Sequence, residues 1–239
     1  MTTPASPIRS IGFVLYSGVN ALDVVGPHEV LARLREVEVK LIGSRPGPVV
    51  TDTRALMLHA THDWNAADVD VLVIPGGRGV AAVAKESDFL EVLATAAERA
   101  REVLTVCTGS VLLARTGRMV GRRATTHWAH RGELAALGVE VSEERTCRDG
   151  SWWSAAGVSA GIDLALRFVG EAVSSRLAQR LTVAMEYDPH PPFGPGRLDA
   201  LTPEDRAALI TALTPSPRAG NLHTATGATP LGSDEEGRG

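Results

Sequence analysis

Cysteine is scarce in this chain: there are two, Cys107 and Cys147, among 239 residues. Two thiols make no disulfide framework, so the fold must stand on its core, and a reducing cytoplasm is the expected compartment. Long apolar runs are missing too. The opening "MTTPASPIRSIGFVLYSG" breaks too early for a signal peptide or membrane helix, and no later segment reaches spanning length. Nor is there an excess of one charge: the net charge is −4, with a pI near 6.0. Neither nucleic acid nor an anionic membrane is therefore an expected partner. Lysine is confined to Lys40 and Lys85, and the arginines are scattered rather than clustered.

What is present is the composition of a globular protein, 44% hydrophobic and 22% charged, at a length that allows a substantial core. Strand-like and helix-like patterns alternate. "IGFVLY" (11–16), "VEVKLIG" (37–43), "VDVLVIPGG" (69–77) and "EVLTV" (102–106) read as strands. The third has an uninterrupted apolar run after Asp70 and is closed by Pro-Gly-Gly, as befits a strand covered on both faces. "ALMLHATHDW" (55–64) alternates like a strand at an antiparallel edge, and "CRDGSWW" reads as a hairpin turning at Asp149-Gly150.

Helices are expected over "DVVGPHEVLARLRE" (23–36), "SDFLEVLATAAERAR" (87–101, capped by Ser87), "GSVLLART" (109–116), "SAGIDLALRFVG" (159–170, ended by Gly170) and "SSRLAQRLTVAMEY" (174–187). This alternation predicts an α/β fold with a mostly parallel sheet. One domain is expected over 8–195, then a short helix within 196–214 packing on it. The Pro-, Gly-, Ser- and Thr-rich stretch 215–239 reads as a disordered tail.

Ligands of open α/β sheets bind beyond the carboxyl ends of the strands. Three of the expected strands end in suggestive chemistry: "YSGVNALD" delivers Asp23, "PGG" delivers Gly76 and Gly77, and "CTGS" follows the fourth. A parallel sheet brings those turns to one edge, where a carboxylate, main-chain amides and a thiol converge. Cys107 admits two readings. It is either a small buried hydrophobe or a thiolate on a sharp strand-to-helix elbow, with Gly109 leaving room and helix amides favouring the charge. Asp23, flanked by Leu22 and Val24-Val25, is either a helix N-cap or a proton carrier of raised pKa.

The other polar signals are weaker. His59 and His62 in "HATH" have no further ligands beside them, so no metal site is expected. His127 in "ATTHWAH" either faces the Cys107 pocket or hydrogen-bonds within the core. Cys147 is expected in a turn, without a role. Asp163, inside an apolar helix, needs a hydrogen-bonding partner near the helix start.

The segments "ALDVVGPHEVLA", "VLVIPGG", "VCTGSVLLARTG", "ATTHW", "AAGVSAGIDLAL" and "EYDPHPPFGPG", in this order, resemble the ThiJ/PfpI superfamily over about residues 8–195. That resemblance implies a flavodoxin-like, doubly wound α/β domain with helices on both faces, an elbow cysteine and a homodimer. Within the superfamily the chain is similar to the isonitrile hydratase subgroup, marked by the first-loop Asp, Cys-Thr at the elbow and a closing Tyr-Asp-Pro-x-Pro-Pro-Phe. The likeness implies Cys107 as nucleophile, Asp23 as acid and Thr108 as their partner. It also implies a small-molecule substrate and no metal or organic cofactor; the candidate pocket residues are Gly76 and Gly77 at their strand end and, on the first of its two readings, His127.

The expected reaction is addition of water to an isocyanide through a cysteine thioimidate. Two alternatives stand beside it. One is a glyoxalase- or deglycase-like cysteine enzyme acting on small dicarbonyls, although those members carry Glu where this chain has Asp23. The other is a non-catalytic sensor related to arabinose-type regulators, whose DNA-binding helices are not expected here. The role of the segment 187–196 is left open.

Overall fold

A computed structural model of the chain describes residues 7–213; the tail expected at 215–239 lies outside the described residues. The chain divides into two units, Met1–Phe193 and Gly194–Gly239. In chain order the first holds β1 (Ser10–Val14), α1 (Ala21–Leu31), β2 (Glu38–Ile42), β3 (Gly47–Val50), β4 (Met57–Ala60) and β5 (Val71–Ile74). Then come α2 (Val80–Val83), α3 (Ser87–Arg99), β6 (Glu102–Val106), α4 (Gly109–Ala114), β7 (Arg123–Ala124) and α5 (Arg131–Ala136). The unit closes with β8 (Glu140–Val141), β9 (Thr146–Asp149), β10 (Trp152–Ala155), α6 (Ala160–Phe168) and α7 (Ser175–Ala184). The second unit contributes α8 (Pro203–Leu213).

The main sheet has six strands in the order β2-β1-β5-β6-β10-β9, parallel except for β9, which pairs antiparallel with β10. Counting only the parallel strands along the chain, the order is 2-1-3-4-5, the flavodoxin-like arrangement. From β1 the chain crosses through α1 to one side, and from β5 it crosses through α3 to the other. Right-handed crossovers in opposite directions put those two helices on opposite faces of the sheet. The crevice where the two directions part lies at the carboxyl ends of β1 and β5, where a ligand site is expected.

The core follows from the apolar strands. Every residue of β5 (Val71, Leu72, Val73 and Ile74) is fully buried between β1 and β6. Removing each such side chain from water is worth about 1.5–3 kcal/mol. β2, at the sheet's edge, leaves Glu38 exposed and buries only Ile42. On α6, Leu164, Ala165 and Phe168 face inward, while Asp163 is tied to Arg145 through Nε–Oδ2 at 2.7 Å, the partner its position demands.

Several local expectations are corrected. Asn20, not Asp23, caps α1: its Oδ1 accepts from the N–H groups of Leu22 (3.0 Å) and Asp23 (3.3 Å). Ser87 opens α3 instead of capping it, because its hydroxyl is turned to Asp88 Oδ1 at 3.2 Å. Gly170 does not end α6. A π-helical turn, Val169–Val173, carries the chain through it to Ser174, whose side chain caps α7 by accepting from Leu177 N–H. Cys147 is buried in strand β9, not in a turn. The strand expected over 55–64 is shorter, and it pairs with β3, which sequence pattern alone did not single out, as a separate antiparallel ribbon.

Gly109 shows how closely the elbow is packed. A Cβ there would run into the main-chain carbonyl of Ile74 at the end of β5, an obstacle that no rotamer change relieves. Gly109→Ala is therefore expected to lower stability by about 1–3 kcal/mol, read as a lower urea midpoint with an unchanged denaturant slope. A midpoint equal to that of the unsubstituted chain would show that β5 and α4 can separate freely.

Candidate active site

The site is assembled from three turns. After β1, the Asn20 cap sets the first turn of α1, and Asp23, within that turn, is fully buried. Pro27 sits four residues later and has no N–H to give the Asp23 carbonyl, so the helical ladder is open at the acid's own turn. After β5, Gly76 donates its N–H to Asp23 Oδ2 at 2.9 Å, and Gly77 donates its own to Thr108 Oγ1 at 3.1 Å. A Cβ on Gly76 would lie 2.5 Å from the Thr108 nitrogen and 3.0 Å from Asp23 Oδ2. Only glycine lets the acid and the elbow approach the same stretch of main chain.

After β6 comes Cys107, with φ at +56°. A side chain in the left-handed region costs roughly 1–2 kcal/mol and survives only where neighbours over-determine it. They do so here. Cys107 N–H donates to the Ala155 carbonyl at 3.0 Å, and its own carbonyl accepts from Thr126 Oγ1 at 2.8 Å and Ser110 Oγ at 3.2 Å. The strained turn places the thiol over the carboxyl ends of the strands, only 7% exposed and close enough to Asp23 for a hydrogen-bonding influence.

The electrostatics correct one expectation. The thiolate reading of Cys107 has the sulfur ionised by the helix amides. The Thr108 N–H and hydroxyl do favour the thiolate, but α4 spans six residues, and burial together with the Asp23 charge outweighs both. The Cys107 pKa is raised, so the resting sulfur keeps its proton. Asp23 is raised to about 7, first by burial, then by the Asp52 charge, against the opposing pull of the Gly76 amide and the thiol. Its Oδ2 is anchored, whereas Oδ1 is buried and accepts no hydrogen bond among the described residues. Two acids thus share one dry compartment, and their protons titrate as a pair.

Of the residues singled out from sequence, Asp23, Gly76, Gly77, Cys107 and Thr108 come together. The ring of His127 contacts Ala129 N–H, Trp128 and His130, and its neighbour Thr126 is the residue that reaches the elbow. Asn20, Asp52 and Tyr16 escaped sequence reasoning. Tyr16 is buried, donates its hydroxyl to the Pro75 carbonyl at 2.8 Å, and has its pKa raised by burial and then by Asp23 and Cys107. The usable signal was Asn20, an ordinary capping residue directly before the α1 pattern. Among the described residues no group of three or more His, Cys, Asp or Glu side chains is disposed to hold a metal ion, and no helix is long and apolar enough to cross a membrane.

The sequence model of the DJ-1/PfpI family matches residues 9–171. This chain belongs to the DJ-1/PfpI family. The isonitrile hydratase of Pseudomonas putida is 39% identical over 189 residues, 79% of this chain and 83% of the relative. The deglycase PfpI of Pyrococcus furiosus is 30% identical over 90 residues, 38% of this chain and 54% of the relative. The crystal structure of a ThiJ/PfpI family protein from Pseudomonas syringae superposes with a TM-score of 0.82 at 32% identity, covering 87% of both chains.

Asp23 also makes a stability prediction. Its folded pKa of about 7 lies above its ordinary 3.8, so the fold gains from proton binding. That contribution is complete below the ordinary value and lost as pH rises through about 7. Asp23→Asn keeps an acceptor for Gly76 N–H but cannot ionise. Its stability relative to the unsubstituted chain should therefore rise by about 2–4 kcal/mol between pH 5 and pH 8 in urea unfolding. A difference that stays constant with pH would show an Asp23 of ordinary acidity.

Proposed function

We propose that this chain is an isonitrile hydratase-like enzyme that adds water to an isocyanide and releases an N-substituted formamide. The observation that carries the reading is the gathering of the buried Asp23 and the Cys107–Thr108 elbow on the same Gly76–Gly77 main chain, in a chain 39% identical to an isonitrile hydratase over most of both lengths. In this reading Cys107 is the nucleophile, Asp23 the acid and base, and Thr108 the group that steadies the sulfur.

The chemistry suits a pair that holds one proton. When the Cys107 proton passes to Asp23 Oδ1, the same net charge is redistributed as thiolate and carboxylic acid. The acid delivers that proton to the terminal carbon of R–N≡C. The thiolate bonds to the same carbon as one C–N π pair moves onto nitrogen, giving the thioimidate R–N=CH–S–Cys107. Asp23, again a carboxylate, takes a proton from water while the water oxygen bonds to the thioimidate carbon, then passes that proton to nitrogen. The tetrahedral adduct loses its hydroxyl proton, the C–S bond breaks, the C=O bond forms, and R–NH–CHO departs. The released thiolate and the recovered proton restore the starting pair. The addition needs no electron acceptor, metal or organic cofactor.

A thiol that is neutral at rest suits this scheme better than a permanent thiolate, because the isocyanide carbon needs a proton before it becomes electrophilic. The Thr108 hydroxyl, which accepts from Gly77 N–H, keeps its own proton for the sulfur. A homodimer and a cytoplasmic setting belong to the same proposal. Leu22 and Val25, 42% and 41% exposed on α1 beside Asp23, supply apolar surface for a second copy.

Turnover of a simple alkyl isocyanide, followed by formamide release, tests the reading, with methylglyoxal run in parallel because deglycases are among the relatives. Cys107→Ser is expected to show no turnover, and Asp23→Asn to lose roughly 10²–10⁴-fold in rate while remaining folded. Turnover of methylglyoxal alone would assign the site to dicarbonyls, and undiminished isocyanide turnover by either variant would remove the mechanism.

A further inference from the structure

We propose that Asp52 is a positioning residue for this site, acting on Asp23 through Asn20 and through its own negative charge. Asp52 lies in the turn between β3 and β4, outside the three turns that build the site. Its backbone N–H donates to the Val19 carbonyl at 2.9 Å, and its Oδ2 accepts from Asn20 Nδ2 at 3.2 Å. Asn20 is the hub. Its Oδ1 caps α1 at Leu22 and Asp23, and its N–H donates to the Gly76 carbonyl at 2.9 Å. Gly76 in turn donates to Asp23 Oδ2, which closes a ring of hydrogen bonds with Asp52 holding its outer corner.

Asp52 therefore fixes the Asn20 rotamer that presents Oδ1 to the helix rather than Nδ2. A carboxylate accepts only, so the Asn20 amide must turn its N–H₂ towards Asp52 and its oxygen towards α1. The same carboxylate places a like charge near a fully buried acid. Cys107 and Asp52 are the ionisable groups whose influence reaches Asp23, and Tyr16, at the end of β1, has its proton committed to Pro75. On α6, packed against α1, Asp163 is paired with Arg145, and on α1 itself His28 lies against the Phe13 ring. With Asp52 ionised, loss of the Asp23 proton is opposed. A carboxylate so opposed takes up the Cys107 proton more readily, which is the transfer the proposed reaction begins with.

The proposal rests on Asp23 as the proton carrier of the reaction above, but its test uses no isocyanide and reads correctly even if the substrate is another. The rate of Cys107 alkylation by iodoacetamide, followed by mass mapping of the Cys107 peptide, is measured against pH. Loss of the pair's first proton creates the one-proton form, a share of which carries the proton on Asp23 and the charge on sulfur, so the rate rises through that step. Asp52→Asn keeps an acceptor for Asn20 and removes the charge, and the inflection should move to lower pH by about 0.5 or more. Asp52→Glu, which keeps the charge, should retain the original inflection. The gap between Asp52→Asn and the unsubstituted chain should narrow in high salt, since Asp52 is partly exposed and its charge is screened. An unmoved inflection in Asp52→Asn overturns the proposal. So does an equal displacement in Asp52→Glu, which would make the turn's shape, not its charge, responsible.

Discussion

The site depends on two acids placed in one compartment from which water is excluded. Asp23 is fully buried and Cys107 nearly so; burial and the Asp23 charge keep the thiol protonated, while burial raises the Asp23 pKa against the easing influence of the thiol. In water a carboxyl and a thiol ionise several pH units apart and independently. Here the pair cannot carry two charges near neutrality, and a proton leaving the sulfur has a receptive neighbour in Asp23. Proton transfer inside the pair moves charge without creating it, so a dry setting permits it where full ionisation is opposed.

The fold exists around that compartment in a definite sense. The reversal of strand order between β1 and β5 opens the crevice, and the turns after β1, β5 and β6 all reach its rim. Three devices narrow the gap between them. Glycine at 76 and 109 removes the side chains that would wedge the turns apart, and the left-handed backbone at Cys107 tips the sulfur out of the strand. Side chains from elsewhere then hold the strained turn, with Thr126 and Ser110 hydrogen-bonded to its carbonyl. The strain is local, and restraints both near (Ser110) and far along the chain (Thr126) over-determine the unfavourable backbone angle.

Much of this was legible in the chain. The four strands of the parallel sheet read from apolar runs were placed correctly, because burial on both faces leaves a continuous hydrophobic signature in Val71–Ile74 and Glu102–Val106. The convergence of Asp23, Gly76 and Cys107 followed from the fold class alone. What escaped reading was decided by tertiary context. Asn20 competes with Asp23 for the cap, and only the buried position of Asp23 settles which one turns outward. β3 and the two-residue strands β7 and β8 are too short for periodicity to register. His127 is the more reactive side chain in "ATTHW", yet a hydroxyl two atoms from the backbone, Thr126, is the one that reaches the elbow carbonyl. The thiolate reading of Cys107 rests on helix amides, but desolvation and the neighbouring carboxylate, both products of tertiary context, outweigh them.

The most direct test of the shared proton is an infrared difference titration of the protonated carboxyl band, comparing the unsubstituted chain with Asp23→Asn. The account predicts a buried carboxylic acid band that persists through mildly acidic pH, fades around pH 7, and is missing from the variant. An Asp23 already fully ionised at pH 5, with no such band to lose, would contradict it.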